Sequence, residues 1–243
     1  MGWLVLSRRA KIGLLIFALI AATAFFPLRI ALDLAGTGAS GASARQVRGV
    51  IWSGRIEDLS LGTVNLGSVR AAVSPVQLLV GRVRLDLWRD GAQGDGPLRG
   101  AWTVGFNQRG IDDVTGTVPV GGAFAPLPLS TLEFDDVTVH FAGDTCAKAE
   151  GRVRAQFAGE FAGLRLSRGL SGAVACDGNT VLFPLVSQTG MDKLSLRLSR
   201  DGRFTAQIAV KTGGDGNSEG GMLAAAGLKR QGGDYVMTIE GQM

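Results

Sequence analysis

Residues 194–211, LSLRLSRDGRFTAQIAVK, contain two runs of alternating apolar and polar side chains on either side of an Asp-Gly pair. The apolar side chains recur at every second position: Leu194, Leu196, Leu198, Phe204, Ala206, Ile208 and Val210. Period two is typical of a strand with one buried and one solvated face. Asp201-Gly202 supplies the positive φ that a tight hairpin turn needs. The stretch therefore predicts an antiparallel hairpin with one buried face.

The same alternation extends through most of the chain on both sides of this hairpin. Val83, Leu85 and Leu87 alternate with polar residues, and Trp102, Val104 and Phe106 share one face. Turn signals separate such runs at intervals of about 8–12 residues, which is the spacing of an antiparallel meander. We therefore predict a mainly β chain whose residues 47–243 form one elongated, twisted antiparallel sheet.

One predicted strand changes phase at Asp135-Asp136. Leu132 and Phe134 are apolar at even positions, whereas Val137, Val139 and Phe141 are apolar at odd positions. One extra residue would keep both halves facing the core, so the pattern predicts a β-bulge, with a break into two strands as the alternative. The other acidic pairs, Glu57-Asp58 and Asp112-Asp113, are interpreted as turn or bulge residues too.

Helix signals are few in residues 47–243. Pro75 to Val80 can form one helical turn, with proline at its first position and Gly81 as its end. Residues 212–221 are rich in Gly, Asp, Asn and Ser, which predicts a hairpin loop.

The N-terminal segment has the pattern of a membrane anchor. Residues 12–28 carry no charge, and at about 1.5 Å per residue they reach the short end of a membrane span. The topology signal is Arg8, Arg9 and Lys11, which predicts a cytoplasmic tail over 1–11 and the rest of the chain across the membrane. The alternative is a cleaved signal peptide with small residues at 42–44.

Residues 29–46 are predicted to be a flexible linker because they are rich in small residues. Gly36 to Gly41 fits the pattern G-x-G-x-x-G. A dinucleotide site needs a strand before this pattern and a helix after it, and the sequence indicates neither. The linker is therefore the favoured interpretation.

Composition argues against several classes of function. The chain of 243 residues has one His and two Cys, too few for a zinc cage of these ligands alone. The first 28 residues hold three basic and no acidic residues, so the remainder has 22 basic against 21 acidic residues and no footprint for nucleic acid. His140 lies on the polar phase of its strand, and no catalytic motif accompanies it. We expect no enzyme activity, no catalytic residue, no metal site, no cofactor and no small-molecule substrate.

Cys146 and Cys176 are the only thiols. Both lie near predicted strand ends, and an oxidising compartment outside the cytoplasm would favour a disulfide. The alternative is two buried, unpaired cysteines. We predict the disulfide, with a structural rather than a redox-catalytic role.

Four stretches resemble the protein N family of type II secretion systems, the general secretion pathway N family. The segment 47–55, VRGVIWSGR, is similar to the family's G-x-[VI]-W-x-G start, and 73–82, VSPVQLLVGR, is similar to its Pro-x-x-Leu-Leu-x-Gly-Arg element. The segment 196–204, LRLSRDGRF, is similar to its Asp-Gly-Arg-aromatic hairpin, and Gly233-Asp234-Tyr235 with Gly241 resembles its closing strand.

The resemblance implies a single-pass protein of the bacterial inner membrane, with its N-terminus cytoplasmic and a periplasmic β domain over 47–243. It implies a non-enzymatic accessory component that supports export of folded proteins across the outer membrane. The expected partners are other subunits of the secretion system, in the inner membrane or periplasm, together with the membrane itself. Two alternatives remain at this point: a membrane-anchored β protein with an apolar groove that binds or carries lipid, and a periplasmic enzyme that depends on His140.

Overall fold

A computed structural model describes residues 7–34, 41–91, 96–125, 127–158, 169–211, 217–225 and 227–242. The helices in these ranges are α1 (Arg8–Ala24), α2 (Leu28–Leu34), α3 (Pro75–Leu79) and α4 (Asn217–Ala225). The strands are β1 (Ala42–Ser43), β2 (Gln46–Val50), β3 (Ser53–Leu61), β4 (Val64–Val73), β5 (Val83–Arg89), β6 (Leu98–Val104), β7 (Gln108–Pro119), β8 (Leu129–Ala142), β9 (Thr145–Phe157), β10 (Leu170–Ala173), β11 (Ala175–Asp177), β12 (Thr180–Val186), β13 (Asp192–Ser199), β14 (Arg203–Lys211), β15 (Lys229–Gln231) and β16 (Asp234–Gln242).

The described strands form one antiparallel sheet. Its order is β1-β3-β4-β5-β6-β7-β8-β9-β10-β12-β13-β14-β16-β15, while β2 pairs with β3 and β11 pairs with β12. Most neighbours in the sheet are also neighbours in sequence, which is the pattern of a meander. The prediction of a mainly β chain with an antiparallel meander is confirmed.

The hairpin of β13 and β14 has the register that its alternation predicts. Leu194 lies opposite Ile208 and Leu196 lies opposite Ala206. All four side chains are buried, and Phe204 joins them in the same core. The apolar face of this hairpin therefore lies in the interior of the domain.

The sheet curls so that distant strands meet. Phe124, in a 3-10 turn over Gly121–Phe124 before β8, contacts Phe204 of β14 edge to face, with ring centroids 5.0 Å apart. Five strand spacings of about 4.8 Å separate β8 from β14 along the sheet, so a flat sheet would place them roughly 24 Å apart. The curl brings the apolar faces together around one large core, while a smaller core lies under β3 to β5.

The phase change in β8 is a bulge. The strand runs without a break from Leu129 to Ala142, and its register with β9 shifts between Asp135 and Thr138. Asp136 has φ of 53°. The extra residue lets Leu132 and Val137 both face the core, as predicted, and the alternative of two separate strands is wrong.

The short helices agree only partly with the sequence expectations. The predicted turn at Pro75 is α3, which ends at Leu79. The predicted hairpin loop over 212–221 is wrong for residues 217–221, because they belong to α4. Residues 212–216 lie outside the described residues, as do 36–40 of the glycine pattern and 1–6 of the predicted tail.

The N-terminal helix begins and ends four residues earlier than the predicted span over 12–28. α1 has 17 residues and ends at Ala24. None of the helices in the described ranges combines the length and the apolarity that crossing a membrane requires. The structure therefore does not support the predicted transmembrane helix over 12–28.

Candidate functional site: one end and one edge of the sheet

Helix α1 ends against the turn between β2 and β3. The indole Nε1–H of Trp52 donates a hydrogen bond to the carbonyl of Thr23, at 3.1 Å. The backbone N–H of Ile51 donates to the carbonyl of Phe26, at 3.0 Å, and Pro27 forms a β-bridge with Val50. These contacts join the helix to the sheet directly.

Two positions of the segment 47–55 require glycine, and one of them makes room for this junction. Leu28 is 0% exposed, and a Cβ on Gly54 would collide with its side chain. Gly49 has φ of +92°, and a Cβ there would meet the carbonyl oxygen of Ser53. Gly54 therefore permits the close approach of the N-terminal chain, whereas Gly49 permits the positive φ and the close approach of β3 within the hairpin.

The boundaries predicted for the anchor and the linker need correction. Phe26, Pro27 and Leu28 contact the β domain, although they were predicted to end an anchor over 12–28. Within the predicted flexible linker over 29–46, α2 occupies residues to Leu34 and β1 pairs with β3. Composition suggested a flexible linker, but Ala42 and Ser43 pair with strand residues that are distant in sequence.

The apolar side chains of α1 are exposed on every side of the helix. Leu15 is 69% exposed and Phe17 is 71% exposed, and Ile12, Leu14, Ile16 and Ile20 are also exposed. Arg8, Arg9 and Lys11 lie in the first turn. An exposed apolar surface of this kind marks an interaction with a membrane or another protein.

A repeated Asp-Asp-Val-Thr sequence builds the bulges of β7 and β8. Residues 112–115 and 135–138 both have it. The N–H of Asp113 donates to Oγ1 of Thr138, and the N–H of Asp136 donates to Oγ1 of Thr115, both at 3.1 Å. Each repeat therefore binds the backbone of the other. The acidic pairs act as bulge residues, as predicted.

His140 belongs to a half-buried polar network beside these bulges. Its Nε2 lies 2.7 Å from Oδ1 of Asp112, and the hydroxyl of Thr103 donates a hydrogen bond to the other oxygen of the same carboxylate. In a Ser-His-Asp site the histidine lies between the acid and the nucleophile. Here the carboxylate lies between the imidazole and the hydroxyl, an arrangement suited to holding neighbouring strands together.

The neighbouring surface carries paired charges. Hydrogen bonds to Asp86 and then to Asp113 raise the pKa of Arg84 above its usual value. Arg84 and its partners line a shallow depression of about 460 Å³ that also includes Trp88 and Arg99. Within the described ranges, no three His, Cys, Asp or Glu side chains are placed to hold a metal ion.

Cys146 of β9 and Cys176 of β11 form a disulfide, with their Cα atoms 5.5 Å apart. The N–H of Cys146 also donates to the carbonyl of Gly178, at 3.1 Å. The disulfide therefore links the beginning of the long strand β9 to the short strand β11, which precedes the turn into β12. The two cysteines are paired, not free as in the alternative interpretation.

One edge of the sheet offers backbone groups to a further strand. β16 pairs with β14 along its full length on one side. On its other side, β15 covers only Asp234, Tyr235 and Val236. Within the part of the chain that the structure describes, Met237 to Gln242 therefore have no strand on that side.

The described residues thus define a mainly β protein with one curled sheet, an exposed apolar N-terminal helix and an open edge strand. The family model for type II secretion system (T2SS) protein N matches residues 40–238. The chain belongs to this family, which confirms the resemblance found in its sequence. No curated protein and no solved structure matches the chain.

Sequence reasoning missed two features of these surfaces. The repeat of Asp-Asp-Val-Thr is visible in the sequence, and its spacing could have predicted the paired bulges. The sequence around Trp52 was recognised only as a family motif. No pattern in neighbouring residues indicates that Thr23 and Leu28 pack at this junction.

Proposed function

We propose that the chain is a non-enzymatic accessory component of the type II secretion system at the bacterial inner membrane. It supports the export of folded proteins across the outer membrane through contacts with other subunits. The observation that carries the proposal is the family match over residues 40–238, which spans nearly all of the sheet. The family implies association with other components of the system.

The same proposal includes a single-pass topology with α1 in the bilayer. The helix exposes apolar side chains on every side, and its basic residues Arg8, Arg9 and Lys11 lie at the end that would remain in the cytoplasm. The uncharged part of the helix, residues 12–24, rises about 20 Å. The β domain then lies in the periplasm, where an oxidising environment suits the disulfide.

The junction favours an anchor that is not removed. Cleavage after residues 42–44 would take away Leu28, which the β domain buries completely. It would also take away the carbonyl that accepts the Trp52 hydrogen bond. The N-terminal segment is therefore a structural part of the domain as well as its anchor.

A reporter enzyme that is active only in the periplasm, fused after Met243, tests this topology. We expect full activity together with a mature N-terminus close to Met1. The same reporter fused after Lys11 should be inactive and serves as the control. An inactive C-terminal fusion that is well expressed would contradict the topology, and a mature N-terminus near Arg45 would show a cleaved signal peptide.

We propose that partner subunits pair with the open edge of β16. Sheet edges present unpaired N–H and C=O groups that a strand from another chain can bind. Met237 and Ile239 are half-buried at this edge and pack against the large core, so an added strand would cover them further.

Matched lysine substitutions on one face of the sheet test the edge. Thr238 lies on β16 and faces Gln207 of the interior strand β14. A lysine on an edge strand opposes pairing with another chain. We expect Thr238→Lys to reduce recovery of other secretion subunits with the solubilised full-length chain, and Gln207→Lys to leave it unchanged. Equal losses would indicate binding to the face of the sheet instead.

The lipid-carrier alternative receives no support from the core. Such a role requires an open apolar groove along the sheet. The inward side chains of Val153, Leu185 and Ile208 are at most 1% exposed. The apolar face is covered by the protein itself, so we propose no lipid-carrying function.

A further inference from the structure

Helix α3 presents a group of apolar side chains to solvent. Val76 and Val80 are each 67% exposed, and Leu79 is 87% exposed. The backbone N–H groups of Val80 and Arg82 both donate to the carbonyl of Gln77, so the turn that carries these side chains is held in place. The exposed side chains therefore belong to a hydrogen-bonded turn.

The loop between β6 and β7 places a second apolar side chain beside α3. Phe106 is completely exposed at its tip. Val83, which begins β5 shortly after α3, pairs with Val104 at the end of β6. The N–H of Gly105 donates to the carbonyl of Gln108, at 2.7 Å, which closes the loop.

Both groups lie at the end of the sheet where α1 leaves the domain. The N–H of Val73, at the end of β4, donates to the carbonyl of Ile51, at 2.7 Å. Ile51 in turn donates to Phe26, just after α1. The exit of the apolar helix, α3 and the Phe106 loop therefore form one end of the sheet, which we call the anchor end.

Cationic side chains flank the exposed apolar ones. Arg82 follows α3 and packs near Gly105, and Arg109 follows the Phe106 loop. Both are exposed, and neither forms an ion pair with another described residue. Apolar tips beside basic residues are the composition of surfaces that bind the interface of an anionic bilayer.

We propose that the anchor end is a membrane-binding surface. Val76, Leu79, Val80 and Phe106 enter the boundary between headgroups and acyl chains, and Arg82 and Arg109 contact anionic headgroups. The continuity with α1 favours lipid as the occupant, because a bilayer that holds α1 reaches the residues at its exit. The inference rests on the proposed anchoring by α1. It adds that one end of the sheet contacts the bilayer surface directly.

Fluorescent labels on the reconstituted full-length chain test the proposal. The native cysteines are bonded to each other, so an engineered cysteine can be labelled selectively. Leu79→Cys and Phe106→Cys report on the anchor end, Leu15→Cys reports on α1, and Gln188→Cys, exposed at the opposite end of the sheet, is the control. The vesicles contain phosphatidylethanolamine and phosphatidylglycerol with spin-labelled lipids as quenchers.

We expect the labels at 79 and 106 to shift to the blue and to lose most of their fluorescence to quenchers placed near the headgroups. The label at 188 should keep its fluorescence, and the label at 15 should respond to quenchers deeper in the bilayer. Replacing phosphatidylglycerol with phosphatidylcholine, or combining Arg82→Glu with Arg109→Glu, should weaken quenching at 79 and 106 but not at 15.

The outcomes separate the inference from the function on which it rests. Quenching at 15 without quenching at 79 and 106 would leave the anchor in place and overturn the inference. No quenching at 15 would overturn both. Labels at 79 and 106 that become shielded only when other secretion subunits are added would make the anchor end a protein-binding surface and overturn the lipid assignment.

Discussion

Three aspartates at positive φ shape the long strands of this protein. Asp58, Asp113 and Asp136 have φ of 50°, 54° and 53°, and each is the second member of an acidic pair. Aspartate enters the left-handed region more readily than most side chains, because its short carboxylate can form local hydrogen bonds. Each lies at a shift of register, so single residues set the phase of the strands around them.

A β-branched residue at position 136 should be destabilising because of its backbone conformation. We expect Asp136→Val to lower the free energy of unfolding by about 1–2 kcal/mol more than Asp135→Val. Both aspartates are exposed on β8, so the neighbour is a matched control. Asp136→Gly should be close to neutral. Urea denaturation measures the differences, and equal losses for the two valine variants would argue against strain at the bulge.

At the scale of elements, the sequence predicted those features that depend on residues close together in the chain. The hairpin of β13 and β14 and its buried face could be predicted from the alternation of apolar and polar residues and from the Asp-Gly turn. The bulge in β8 could be predicted from the change of phase at Asp135-Asp136. The end of α1 and the fold of residues 26–34 were not predictable in this way, because Leu28 and Trp52 find partners that are distant in sequence.

The disulfide should stabilise the middle of the sheet. Its cysteines are 30 residues apart in sequence, and closing a loop of that length contributes about 3–4 kcal/mol on the chain-entropy model. We expect the double variant Cys146→Ala with Cys176→Ala to lose stability of this order while keeping its β-type circular dichroism.

Reduction of the wild-type protein under native conditions provides the control for cavity effects of the alanines. It should lower the midpoint of urea unfolding in the same direction as the double variant. Two freely alkylatable thiols in protein isolated from its native compartment would contradict both the bond and the proposed periplasmic location.

At the scale of the whole molecule, the sheet presents different surfaces for different contacts. The anchor end carries α1 and the exposed apolar side chains of α3, whereas the open edge lies along β16. A curled sheet filled by its own core holds these surfaces in fixed relation. In the proposed function, one surface positions the protein on the membrane and the other remains free for partner strands.

The most direct test of the account is secretion in cells that lack this chain. We predict that folded substrates of the type II system then accumulate in the periplasm, and that the full-length chain restores their release into the medium. His140→Ala should restore release equally well, because the proposed role includes no catalytic step. Unchanged release of these substrates without the chain would contradict the proposed function.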